Sequence, residues 1–87
     1  MANTNDRPII TIRDGALKAS IWENKTDDGK TFHSVTFGRT FTAEDNSVKS
    51  ANSFSGGDIL KISRLAEKAY DQIASLRLQQ SQQQEAA

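Results

Sequence analysis

The chain has 87 residues and no cysteine, which leaves room for one domain and removes disulfide staples and thiolate metal sites as ways of holding it together. Eleven Lys and Arg residues balance eleven Asp and Glu, so the basic excess of an obligate duplex-DNA binder is missing and charge-driven binding would have to come from how the charges are distributed. No run approaches the roughly 20 apolar residues of a membrane span, and the polar opening Met1-Ala2-Asn3-Thr4-Asn5-Asp6 lacks an apolar signal core, so a cytoplasmic protein with no membrane partner is expected.

In chain order, residues 1–7 read as a flexible arm, residues 8–78 as a single domain, and residues 79–87 as a disordered Gln-rich tail without an apolar face. Within the domain, Asp14-Gly15, Asp27-Asp28-Gly29 and Ala43-Glu44-Asp45-Asn46 separate four runs of β-type residues, the punctuation of an antiparallel meander. A slip of one residue would carry a strand's whole apolar set to the opposite face, so the turns can be used to set register. With Asp14-Gly15 as a two-residue turn, Ile12 faces Leu17 and Ile10 faces Ala19. A three-residue loop at Asp27-Asp28-Gly29, with Gly29 as the left-handed bulge residue, pairs Ile21 with Val35, Ala19 with Phe37 and Trp22 with Ser34. A two-residue turn there would set Trp22 against Val35 and mix the faces. A four-residue third loop opposes Phe41 to Val48, Arg39 to Ser50 and Val35 to Phe54.

Ser55-Gly56-Gly57-Asp58 has the Ser-x-x-acid form of a helix N-cap. Ile59, Ile62, Ala66, Ala69, Ile73 and Leu76 then recur at alternating spacings of three and four, one apolar stripe that must cover the apolar side of the sheet. The expected fold is α+β: a four-stranded antiparallel meander followed by one C-terminal helix packed on one face.

This register puts Ile10, Ile12, Leu17, Ala19, Ile21, Val35, Phe37, Phe41, Val48 and Phe54 under the helix. The opposite face carries hydroxyls, the cations Arg13, Lys18 and Lys49, the aromatics Trp22 and Phe32, and no carboxylate. Bases stack on aromatic rings while cations follow phosphates. The composition therefore points to a non-enzymatic nucleic-acid-binding module for single-stranded DNA or RNA, with Arg13, Lys18, Trp22, Phe32 and Lys49 supplying stacking and charge and Ser20, Ser34 and Thr36 supplying hydrogen bonds. Lys25, Lys30 and Arg7 add charge at the rim. The alternative is a protein-interaction or regulatory module, homodimerising or inhibitor-like, that buries the same Trp22 patch. A homodimer is expected in either case, because a small domain without disulfides leans on its core or on association. Polar-out alternation is also what any half-buried antiparallel sheet presents.

Other signals carry less. His33, the sole histidine, falls across from Glu23 on the helix side and reads as a rim pair. No nucleophile-base set, metal-ligand spacing or cofactor motif is visible, so no catalytic residue, metal or cofactor is assigned. Gly56-Gly57 precedes a helix but lacks the further glycines and Lys of a phosphate loop, and chain reversal explains it. Arg39, opposite Leu17, is expected to extend past the end of the helix.

At Lys18-Ala19-Ser20-Ile21-Trp22-Glu23-Asn24, Ser53-Phe54-Ser55-Gly56-Gly57-Asp58-Ile59-Leu60 and Ala66-Glu67-Lys68-Ala69, the chain resembles a group of small uncharacterised bacterial proteins over residues 7–73. That likeness implies no particular activity. In element order it also resembles the single-stranded-DNA-binding fold of the transcriptional positive cofactor four and Whirly families. Their members dimerise or assemble further and bind single strands across their sheets, and the resemblance implies the same of this chain. No diagnostic motif of either family is matched residue by residue.

Overall fold

The computed structural model describes residues 7–86, with side chains described through Gln80; most of the expected N-terminal arm, residues 1–6, lies outside that range. Four strands, β1 (Ile10–Asp14), β2 (Leu17–Lys25), β3 (Thr31–Thr42) and β4 (Val48–Ala51), form one antiparallel sheet in the order β1-β2-β3-β4, and a single helix, α1 (Gly56–Ala86), follows. This is the α+β meander-plus-helix arrangement that the turn spacing and the apolar stripe imply.

The first hairpin closes through Gly15-Ala16 rather than Asp14-Gly15, and Gly15 adopts φ 62 at the first central position, where a two-residue turn favours glycine. Sliding the turn by one residue moves every partner by two. Ile10 therefore faces Ile21 and Ile12 faces Ala19, while Leu17 meets Asp14. The side-chain period of a strand is two, so this correction changes partners and preserves faces.

The second hairpin has the expected three-residue loop. Gly29 takes φ 86 and donates its backbone N–H to the Thr26 carbonyl at 3.0 Å, and Thr26 N–H reaches the Lys30 carbonyl at 2.8 Å. Ile21 faces Val35, Ala19 faces Phe37 and Trp22 faces Ser34. The Thr26 hydroxyl bonds to the Asp28 carboxylate, which is the main reason that carboxyl titrates below its ordinary value.

The third hairpin departs from the expected register. Its loop has three residues, Glu44-Asp45-Asn46, with Asn46 at φ 67 and Ala43 N–H bonded to the Ser47 carbonyl at 2.8 Å. It repeats the second loop with asparagine in the glycine position, because Asn tolerates the left-handed region better than other side chains. Dropping one residue from the loop is a one-residue slip, so β4 turns over. Phe41 faces Lys49, Arg39 faces Ala51 and Thr42 faces Val48. Val48, expected in the core, is 73% exposed on the other side of the sheet. Phe54 lies beyond the end of β4, yet it still packs against the core.

Leu17, Ala19, Ile21, Leu65 and Ala69 are buried, and Ile12, Val35, Phe37, Phe54 and Ile62 pack against the cluster that Leu17, Ala19 and Leu65 form. Each large side chain fully withdrawn from water contributes about 1.5–3 kcal/mol. The helix lies chiefly over β2 and touches β1 and β3; among the described residues it makes no contact with β4. Its start is a reciprocal cap. Ser55 N–H donates to Asp58 Oδ2 at 3.0 Å and Asp58 N–H donates to Ser55 Oγ at 3.3 Å, so Asp performs the part usually taken by Glu or Gln. At the other end the helix runs through the Gln-rich segment to Ala86. Gln and Ala are good helix formers, and extending an existing helix costs far less than nucleating one.

Candidate functional site

On the side of the sheet away from α1, β1 presents Thr11 and Arg13, β2 presents Lys18, Ser20, Trp22 and Asn24, and β3 presents Phe32, Ser34, Thr36, Gly38 and Thr40. These positions follow from direct pairing. Thr11 faces Ser20, Arg13 faces Lys18, Trp22 faces Ser34 and Asn24 faces Phe32. Seven of the eight residues singled out from the sequence (Arg13, Lys18, Ser20, Trp22, Phe32, Ser34 and Thr36) therefore share one face. Lys49 does not. It stands opposite Phe41 on the helix side, carried there by the three-residue third loop. In its place the slip brings Val48 and Ser50 to the free face, with Ser50 opposite Thr40. The signal that marks them is Asn46, whose capacity for positive φ makes Glu44-Asp45-Asn46 equivalent to Asp27-Asp28-Gly29.

The side chains of β2 lean across β3. Trp22 Nε1 donates to Thr36 Oγ1 at 2.9 Å, and Asn24 Nδ2 donates to Ser34 Oγ at 3.0 Å. Both bonds run diagonally, to the residue two along β3 from the direct partner, the next one on the same face. An indole N–H can only donate, so the Thr36 oxygen is used as acceptor and its own O–H is left to donate. Ser34 is placed in the same way by Asn24. Ser20 is only 6% exposed although no secondary-structure element covers this side. Trp22 is half-buried beside it and Lys18 is half-buried on its other flank.

Between these side chains lies an open cleft of about 430 Å³. Trp22, Thr36 and Ser20 form one part of its lining, Lys18 lies over Gly38, and Ser50 of β4 and Asn52 just beyond it form the other part. Asp14 pairs with Leu17 and Glu23 with His33, both on the helix side, and the other described carboxylates sit in turns and on α1. The strands thus present cations and hydroxyls on this face and no carboxylate.

Two features named from the sequence fall elsewhere. His33 is half-buried opposite Glu23 on the helix side, with Nε2 withdrawn from solvent and without a hydrogen-bond partner among the described residues. Arg39 does face Leu17, and it ties down the β4–α1 connection. Its Nε donates to the Ser53 carbonyl at 3.1 Å, its guanidinium lies 5.7 Å from the Phe41 ring centre, and its charge acts on Asp58. The Asp58 carboxyl is held below its ordinary value mainly by the Ser55 backbone N–H and hydroxyl, with smaller help from Arg39 and Lys61. These groups line a second shallow cleft whose polar atoms are largely engaged with each other.

Among the described residues, no group of three or more His, Cys, Asp or Glu side chains could hold a metal ion, and no helix is long and apolar enough to cross a membrane. No protein-family model, curated protein or solved structure matches this chain.

Proposed function

We propose that the chain is a non-enzymatic binder of single-stranded nucleic acid, DNA or RNA, that receives the strand across the helix-free face of its sheet. The observation that carries this reading is the one-sided hydrogen-bonding character of that face. Arg13 and Lys18 can only donate, Thr36 and Ser34 accept bonds from Trp22 and Asn24 and keep an O–H to donate, and no strand carboxylate lies on this face. A sugar-phosphate backbone offers acceptors and negative charge. A polypeptide strand offers as many N–H donors as carbonyl acceptors, and a donor-rich face suits it less well. Trp22 and Phe32 provide ring surface for bases, each stack being worth about 1–3 kcal/mol.

Titrating the full chain with short single-stranded oligonucleotides checks this. The expected result is quenching of the only tryptophan, with an affinity that falls as salt rises, because phosphate contacts release counterions. No quenching at low salt removes the proposal.

The second reading, a protein partner or a second copy covering the Trp22 patch, draws on the apolar end of the same face. Phe32 is 49% exposed, and Ile9, which the β1–β2 register places beside Trp22, is 42% exposed. Sedimentation across a concentration series separates the two. A dimer that Trp22→Ala dissolves, in a protein that ignores oligonucleotides, selects this second reading.

A further inference from the structure

Gly38 is the one glycine that stands in the middle of a strand, and its φ is outside the left-handed region. Backbone freedom does not explain it. Space does. A Cβ built at residue 38 would lie 3.2 Å from Lys18 Cε and 3.8 Å from Lys18 Cγ, so the lysine stem rests flat on the bare backbone of β3. Glycine inside a strand commonly marks such a close approach. The flat pose directs the stem toward the cleft that Lys18 lines together with Ser50 of β4 and Asn52 just beyond it. Arg13, directly across from Lys18 on β1, favours the same direction, because like charges facing each other across two strands repel.

Resting on the nucleic-acid reading of this face, we infer that Lys18, laid down by Gly38, forms a seat for a single phosphate. The seat is completed by hydroxyl donors from Thr36 and Ser50 and by the Asn52 amide, with Trp22 alongside as the stacking surface for the base attached to that phosphate. The cleft has the inventory such an oxyanion needs: a cation held in place, several neutral donors and no carboxylate lining it. It also has a direction, since the two cations lie at the β1–β2 turn end of the face and Trp22 and Phe32 lie toward the other end. Arg13, exposed on β1, then meets a neighbouring phosphate of the same strand.

The test compares wild type, Gly38→Val, Lys18→Met and the double variant by tryptophan quenching with an oligothymidylate at several salt concentrations. Valine suits a strand, and the atom it displaces is near the end of a flexible side chain, so the fold is retained; thermal melts check this, and Gly38→Ala serves as the milder variant if valine does not fold. The expected outcome is that Gly38→Val and Lys18→Met each reduce the slope of log affinity against log salt by about 0.7, the value for one phosphate contact on a single strand. Because both remove the same contact, the double variant loses no more than either alone. An unchanged slope in a folded Gly38 variant, or losses that add, overturns the seat while leaving single-strand binding intact. If wild type does not bind the oligonucleotide at all, inorganic phosphate followed by the amide resonances of Gly38 and Ser50 decides the seat separately. Saturable shifts in wild type that vanish in Gly38→Val support it, and their absence overturns it along with the wider proposal.

Discussion

The two faces of the sheet are built from alternate residues of the same strands, and they are held together in different ways. On the covered face, Leu17, Ala19 and Ile21 of β2 are removed from water, the first two in an apolar cluster with Leu65 of α1. On the free face, Lys18, Trp22 and Asn24 of the same strand lie sideways across β3, and specific hydrogen bonds and a missing side chain at Gly38 set their directions. One strand thus carries the stability of the fold in its odd positions and an organised polar surface in its even ones. Residues one apart in sequence should therefore fail in different experiments.

The largest effect is expected on the covered face. Ile21 is 0% exposed, and Ile21→Ala should cost about 2–5 kcal/mol through lost transfer energy and a residual cavity. In a domain of this size that lowers the thermal midpoint by about 10 °C or more. A circular-dichroism melt measures it, and a shift of only a few degrees would mean that the core does not centre on β2. Next in size is its neighbour. Trp22→Ala should weaken oligonucleotide binding by about 1–3 kcal/mol, the worth of one stacked base, while moving the melt far less than Ile21→Ala does. Equal effects of the two substitutions on stability would break the division between faces.

The smallest effect lies on neither face. Ser55→Ala removes one half of the α1 cap and should cost about 1 kcal/mol. The cap also carries an acid dependence whose sign follows from Asp58. Its folded carboxyl titrates below the ordinary value of 3.8, so the stabilisation is complete above that value and is lost as pH falls through the lowered folded one. Asp28 and Asp45 behave alike through their bonds to Thr26 and to Ser47. Urea midpoints measured against pH should fall below about pH 4 in wild type, and Ser55→Ala should show a shallower fall in that range.

How far the fold was legible depended on which errors of register matter. The first turn was displaced by one residue, yet every residue of β1 stayed on its expected face because the displacement moved partners by two. The second hairpin was fully readable, because Gly29 announces the left-handed position of its loop. The third was misread by one residue because Asn46 occupies that position without being glycine, and one residue suffices to exchange Lys49 for Ser50 and to expose Val48. The candidate site was legible in membership wherever β2 and β3 define it. Its organisation was not. That Trp22 bonds to Thr36, or that Lys18 lies over Gly38, depends on side-chain directions that pairing alone leaves open.

The displacement of Lys49 has a consequence for how the molecule lives in a crowded solution. β1 and β4 are the outer strands, each with one row of backbone groups open to another sheet. The chain's charges cancel, with a pI near 6.6, so long-range repulsion between molecules offers little colloidal protection near neutral pH. Protection at the sheet margins has to be local. Arg13 places a cation on β1 and Lys49 places one on β4, a strand of only four residues. A second sheet adding to either margin would have to desolvate that charge, so the lysine the register carried off the helix-free face is of the kind that discourages edge-to-edge pairing.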